Sequence, residues 1–242
     1  MSAGGELAGQ VALVSGGSGG IGLAIIHALG QAGAEAVSLD LAAPREKGIA
    51  WVKGDVRDDA SVGAAVEEVF QRHSRLDLVI HAAGVTRDAV LWKLPVDDWD
   101  LVQAVNLRGA FLLLRHAVPA LRRGKGGRIV LIGSINGSRG KFGLTAYASS
   151  KAGLIGLAKS AARETARFGI LVNVVEPGMV RTPMTDALPQ KVRDTAAAES
   201  LLGGLLEPAD VAAAVLFLCG PGASQITGQI LRVDGGQFFG GS

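Results

Sequence analysis

Residues 11–22 read VALVSGGSGGIG: a β-branched apolar run, a cluster of glycines and the opening of an amphipathic helix. This order predicts a strand over Val11–Ser15, a tight turn, and a helix whose apolar stripe is Ile21, Ala24, Ile25, Ala28 and Leu29. Gly16 permits the turn, Gly20 lets a pyrophosphate approach the backbone, and Gly22 lets the helix pack closely. The start of the helix adds unpaired N–H groups and a positive dipole end. Such a unit is expected to seat the pyrophosphate of a dinucleotide.

The same rhythm continues outward to the end of the chain. Apolar runs at 36–40, 49–53, 76–81, 128–134, 171–176 and 229–233 alternate with helical patterns such as Val62, Val66, Val69 and Phe70. The expected fold is α/β: a single Rossmann-type domain over 1–242, a doubly wound parallel seven-stranded sheet with helices on both faces. Gly33 supplies a stop for the first helix, Asp58 or Asp59 a cap for the second, and Pro208 the start of a late helix carrying Val211, Val215 and Leu218. Two segments break the pattern. Between Asp40 and Asp55 there is too little chain for a crossover helix, so a loop is expected. An apolar-rich insert over 179–206 reads either as a lid over a site or as two packed helices.

Composition narrows the function classes. The 24 basic and 22 acidic residues are interspersed, giving a net charge of +2 and no basic face for nucleic acid. No apolar run reaches the roughly 18 to 20 residues of a membrane span, and the first ten residues lack the basic start of a signal peptide. A cytoplasmic protein is expected. The single cysteine, Cys219, lies in an apolar run and reads as core. No metal site is expected.

Asp40 closes the second strand. A carboxylate there accepts hydrogen bonds from both adenosine ribose hydroxyls. It also repels a 2′-phosphate by about 4 kcal/mol per charge pair at roughly 4 Å, for an effective dielectric of about 20. No Arg or Lys follows before Arg45, so NAD is the expected cofactor; the other reading of Asp40 is a solvated strand end. Tyr147 and Lys151 share a helix face at i, i+4. An ammonium beside a phenol favours phenolate, so Lys151 is expected to lower the pKa of Tyr147. Ser134, at a strand's carboxyl end, can donate to an oxygen on which charge develops. Asn106, inside the helical stretch VNLRGAFLLL, reads as holding a water or bracing a kink. Singly, each also fits a loop hydroxyl, a solvated pair or a satisfied polar group.

Together these residues resemble the classical short-chain dehydrogenase/reductase family over nearly the whole chain. The glycine motif, HAAG at 81–84, Asn106, Ser134, Tyr147, Lys151, Pro177-Gly178 and Thr182 stand in the family's order. The resemblance implies a catalytic set of Asn106, Ser134, Tyr147 and Lys151. Tyr147 would exchange the proton, Ser134 steady the carbonyl or alcohol oxygen, Lys151 also bind the nicotinamide ribose, and Asn106 hold a relay water. It further implies a cofactor-binding set of Gly16, Ser18, Gly20, Ile21, Gly22, Asp40, Asp55, Val56, Ala82, Gly84, Pro177, Gly178, Val180 and Thr182, joined by Tyr147 and Lys151. In that set Asp55 and Val56 would touch adenine, and Val180 and Thr182 the carboxamide.

Segments AGVTRD (83–88), INGSRGKFG (135–143), KAGLIG (151–156), TPMTDALPQKVR (182–193) and ITGQILRVDGG (226–236) are similar to 3-oxoacyl-acyl-carrier-protein reductases and acetoacetyl-CoA reductases. That likeness implies interconversion of 3-oxoacyl and 3-hydroxyacyl thioesters, with a homotetramer as the usual assembly. Four departures matter. Gly19 stands where those reductases carry an arginine for the 2′-phosphate, in line with Asp40. Of their basic pair for the carrier protein, Lys125 matches one member while Phe168, beside Arg167, replaces the other, so CoA is as good a carrier as acyl carrier protein. His81 alters the usual NNAG and is expected to be packed or hydrogen-bonded. Glu176 replaces a small residue and reads as a salt-bridged edge residue or as one that tunes substrate polarity. Two alternatives stay open: an NAD-dependent dehydrogenase of another secondary alcohol, cyclic or aromatic, and a cofactor-binding structural subunit of a mixed reductase assembly.

Overall fold

Alternation along the strands creates two cores. In β1 (Val11–Ser15), Val11 and Leu13 enter one apolar cluster and Ala12 and Val14 the other, all buried, as a parallel strand covered on both faces requires. The remaining strands are β2 (Glu35–Asp40), β3 (Ala50–Lys53), β4 (Leu78–His81), β5 (Gly127–Ile132), β6 (Ile170–Pro177) and β7 (Ile230–Val233). All pair in parallel, in the order β3-β2-β1-β4-β5-β6-β7. This computed structural model describes residues 5–124 and 126–240.

The helices are α1 (Gly20–Gln31), α2 (Asp59–His73), α3 (Val96–Gln103), α4 (Gly109–Arg123), α5 (Ile135–Arg139), α6 (Thr145–Thr165), α7 (Pro183–Asp186), α8 (Gln190–Glu199) and α9 (Pro208–Cys219). On one face α1 and α9 pack together over the cluster of Ala12, Val14, Ile25, Leu29 and Val215. On the other, α2, α4 and α6 cover Leu13, Val79, Leu113, Ile129 and Leu154. Local signals explain several boundaries. Gly33 follows α1 at φ 93°, and Asp58 caps α2 by accepting from the Ser61 N–H at 2.7 Å. Residues 41–49 join β2 to β3 without a helix. Cys219 is buried.

Beyond β1, the strands shift by one or two residues from their expected ends, and two differences bear on the site. β5 stops at Ile132, and Ser134 leaves the strand to cap α5, its Oγ accepting from the Asn136 N–H at 3.2 Å. The stretch holding Asn106 is a π turn, Ala104–Arg108, set between α3 and α4; such widened turns recur at functional positions. Strand order reverses between β1 and β4, which opens a crevice at their carboxyl ends. Among the described residues no helix is long and apolar enough to cross a membrane.

Candidate active site

A cavity of about 720 Å³ fills that crevice. Every expected cofactor-binding residue except Ser18 lines it, as do Ser134, Tyr147 and Lys151; Asn106 stands behind its wall. The glycines have distinct geometric reasons. A Cβ on Gly16, at φ 70°, would lie 2.6 Å from the Ala83 nitrogen, and one on Gly22 would lie 2.2 Å from the Gly16 oxygen. Gly20 has φ 53° and only Thr182 within 4 Å of where its Cβ would be, so the backbone there stays open to the cavity.

Asp40 is fixed at the far end. Its Oδ1 accepts from the Leu41 N–H at 2.8 Å and its Oδ2 from the Ser18 N–H at 3.2 Å. Ser18 works from behind the wall, its hydroxyl donating to the Ala42 carbonyl at 2.8 Å and so pinning the glycine turn to the end of β2. The Asp55 carboxylate is held by Arg57, with Nη2 to Oδ2 at 2.6 Å and Nε to Oδ1 at 3.0 Å. That pairing keeps the Asp55 carboxyl below its ordinary pKa against the opposing effect of burial. Arg57 also lines the cavity, a placement the sequence did not signal.

The proton-transfer end departs from expectation in one respect. Burial raises the pKa of Tyr147, opposed by the neighbouring Ser134 hydroxyl and reinforced by Asp88; Lys151 does not lower it. The ammonium stands 5.6 Å from the phenol ring centre and donates to the Ile132 carbonyl at 2.8 Å. Burial also depresses Lys151 itself, to about 8, so the charge that was expected to pull on the phenol is weakened by the same desolvation. Ser134 Oγ accepts the Asn136 N–H, which leaves its proton free to donate.

Asn106 is saturated by protein partners. Its Oδ1 accepts from the Val85 N–H at 2.8 Å, while Nδ2 donates to the Val85 carbonyl and to Ser150 Oγ, each at 3.0 Å. The amide thus braces the π turn against the loop after β4 and against the residue preceding Lys151. His81 is fully buried and hydrogen-bonded, as expected. Its Nε2 lies 3.2 Å from the Asn106 carbonyl, which can only accept, so Nε2 carries the proton and Nδ1 accepts from Ser15 at 2.9 Å. Burial and then Lys151 push the imidazole down to about 3.

Glu176 is salt-bridged but not at an edge: it is fully buried on β6, inside β7. Ser138 Oγ donates to its Oε1 at 2.6 Å and Arg232 Nη2 approaches its Oε2 at 3.5 Å. Gln237, unforeseen, lines the cavity and accepts the Met179 N–H at 2.8 Å. Phe168 lies under the guanidinium groups of Arg122 and Arg167 at 4.0 and 4.7 Å, while Lys125 is outside the described residues. Among the described residues no cluster suits a metal ion.

A family model described as enoyl-(acyl carrier protein) reductase matches residues 16–237. The chain belongs to the short-chain dehydrogenase/reductase family. It is 38% identical to the 3-oxoacyl-[acyl-carrier-protein] reductase FabG of Thermotoga maritima, over 96% of this chain and 98% of the relative. It is 41% identical to the (3R)-3-hydroxyacyl-CoA dehydrogenase of Mus musculus, over 97% and 98%. Ligand-free aldohexose dehydrogenase of Thermoplasma acidophilum superposes with a TM-score of 0.92 at 28% identity, covering 98% of this chain and 96% of that one. Membership in this family implies an oxidoreductase that uses a nicotinamide cofactor.

Proposed function

We propose that this protein interconverts 3-oxoacyl and 3-hydroxyacyl thioesters using NAD(H). The observation that carries the reading is the meeting of Ser134, Tyr147 and Lys151 in one cavity with the glycine turn and Asp40. Relatives named for 3-oxoacyl and 3-hydroxyacyl thioesters, at 38% and 41% identity over nearly full length, support the substrate class.

The cradle fits a dinucleotide, because Gly16, Gly20 and Gly22 keep open a surface that a side chain would fill or distort. When bound, the nicotinamide supplies or takes up a hydride at the reacting carbon. The chain's own residues manage the oxygen and the proton. A phenol raised by burial keeps its proton near neutral pH, so Tyr147 is poised to donate it to the oxygen of a 3-oxo group. Ser134 donates its free O–H to the same oxygen as negative charge grows there. Lys151, whose ammonium stands 5.6 Å from the phenol ring centre, would hold the nicotinamide ribose. Asn106 acts by bracing the π turn, and a relay water there would sit against a carbonyl already engaged by His81.

Asp40 supports NAD over NADP. Its carboxylate is anchored by two backbone amides on the wall that a 2′-phosphate would approach, and Gly19 offers no counter-charge. Initial rates with acetoacetyl-CoA, measured separately with NADH and NADPH, test the reading. Turnover with NADH supports both parts, preference for NADPH sinks the cofactor assignment, and turnover of a sugar or cyclic alcohol alone would move the substrate to that class.

A further inference from the structure

A second polar cluster lies where the insert meets the cavity. Arg139, the last residue of α5, donates from Nε to Asn136 Oδ1 at 3.2 Å, from Nη1 to the Gln237 carbonyl at 2.9 Å, and from Nη2 to Glu199 Oε2 at 2.8 Å. Gln237 Nε2 donates to that same carboxylate oxygen at 3.1 Å. Because a carboxylate only accepts, the Gln237 amide must turn its oxygen the other way, where it receives the Met179 N–H at 2.8 Å. The Arg139 and Glu199 side chains are 17% and 20% exposed. Burial works to raise the Glu199 carboxyl, but Arg139 and Gln237 outweigh it and hold it below the ordinary value. One carboxylate therefore ties together the end of α8, the helix that Ser134 caps, the C-terminal segment and the turn after β6.

This tie is one of three attachments of the insert at that end, beside the Ser200 and Leu202 bonds to Gly235 and the pairing of Leu206 with Met179 and Arg181. Helix α8 buries only Ala196, too little apolar surface to dock a helix without polar help. Beyond it, Ser200 Oγ and the Leu202 N–H both donate to the Gly235 carbonyl, at 3.2 and 3.0 Å. On the cavity side a Cβ at Gly178 would lie 2.6 Å from Gln237 Oε1, so the turn after β6 rests directly on the oriented amide.

We propose that Arg139, Glu199 and Gln237 are positioning residues, a latch that sets the 177–182 turn and holds the insert against it, so that affinity for the dinucleotide depends on the Glu199 carboxylate. The proposal rests on the reading above that a nicotinamide dinucleotide occupies this cavity.

Full-length E199Q, R139A and the double variant test it, by fluorescence titration with NADH and with NADPH, limited proteolysis and thermal melting. E199Q keeps the shape and an acceptor for Gln237 but removes the charge. Each single variant is expected to bind whichever dinucleotide the wild type takes about tenfold more weakly, the loss of one charge-assisted contact. Cleavage within 186–206 should accelerate. The double variant should be no worse than the weaker single, because the residues act as one unit, and R139K should recover part of the affinity. Unchanged affinity and cleavage, or losses that merely follow the melting temperature, would overturn the latch. If the wild type binds neither dinucleotide, the cofactor reading fails on its own, and the cleavage rates still decide whether the latch holds the insert.

Discussion

His81 donates from Nε2 to the main-chain oxygen of Asn106 at 3.2 Å, linking the end of β4 to the π turn through a neutral imidazole. The ring's folded pKa of about 3 lies below its free value of 6.5. Between those values the unfolded chain binds a proton that the folded chain refuses. The contribution of His81 to stability is therefore complete above 6.5 and is lost as pH falls towards 3, at a slope of about 1.4 kcal/mol per pH unit. Denaturant unfolding of wild type and His81→Asn between pH 4 and 7 should show a shallower acid slope in the variant. Parallel slopes would mean that the ring is not held neutral by the fold.

Asn106 satisfies both backbone groups of Val85 and the hydroxyl of Ser150. Removing the amide strands the part-buried N–H and carbonyl of Val85 and the buried Ser150 hydroxyl, at about 1–3 kcal/mol for a fully buried group and less for the Val85 pair. Asn106→Ala is expected to lose on the order of 3 kcal/mol, and Ser150→Ala, which frees fewer groups, roughly 1 kcal/mol. Urea midpoints at constant slope check this ordering. An Asn106→Ala protein as stable as wild type would remove the amide's bracing role.

The sequence made the sheet legible because each strand is a short apolar run bounded by glycine, aspartate or proline, and because the glycine motif marks the crevice. Asp58, Gly33 and Pro208 act through local backbone chemistry, and their roles could be read from neighbours alone. What could not be read depends on groups far apart in the chain. The Arg139–Glu199–Gln237 cluster joins residues separated by as many as 98 positions, and Arg57 folds back on Asp55 at a spacing that carries no signal. Helical spacing puts Tyr147 and Lys151 on one face of α6, with the ammonium 5.6 Å from the phenol ring centre, but it does not carry their electrostatics. Spacing gives proximity, while burial, which decides the sign of the Tyr147 shift, comes from tertiary packing.

Lys151 carries a folded pKa of about 8 against an ordinary 10.5. Across that window the unfolded chain binds the proton more readily, so the cofactor-free protein should gain stability as pH rises from 8 to 10.5. Lys151→Met should abolish that rise and, at pH 7, melt higher than wild type while losing activity. Tyr147→Phe should behave differently, retaining dinucleotide binding and losing about 10²- to 10⁴-fold in turnover, the usual worth of a positioned proton donor. A Tyr147→Phe protein with full activity would revive the reading of the chain as a non-catalytic subunit.

Gly19 and Asp40 should govern cofactor choice jointly rather than additively. Gly19 has φ −170°, extended backbone open to any residue, and a Cβ there meets nothing within 4 Å, so an arginine enters without strain. Introduced alone, Gly19→Arg places its guanidinium on the cavity wall that Asp40 shares, and the two pair with each other instead of offering a free cation to a 2′-phosphate. Its gain for NADPH should be small. Asp40→Ser removes the repulsion and should raise the NADPH-to-NADH ratio of kcat/KM by about a hundredfold, corresponding to roughly 2.7 kcal/mol of the Coulombic term. In the double variant the arginine no longer has Asp40 as a partner, so the combined change should exceed the product of the two single ones. Steady-state kinetics of the four proteins with both reduced cofactors measure that coupling directly, and a strictly multiplicative result would show that Asp40 does not reach the arginine.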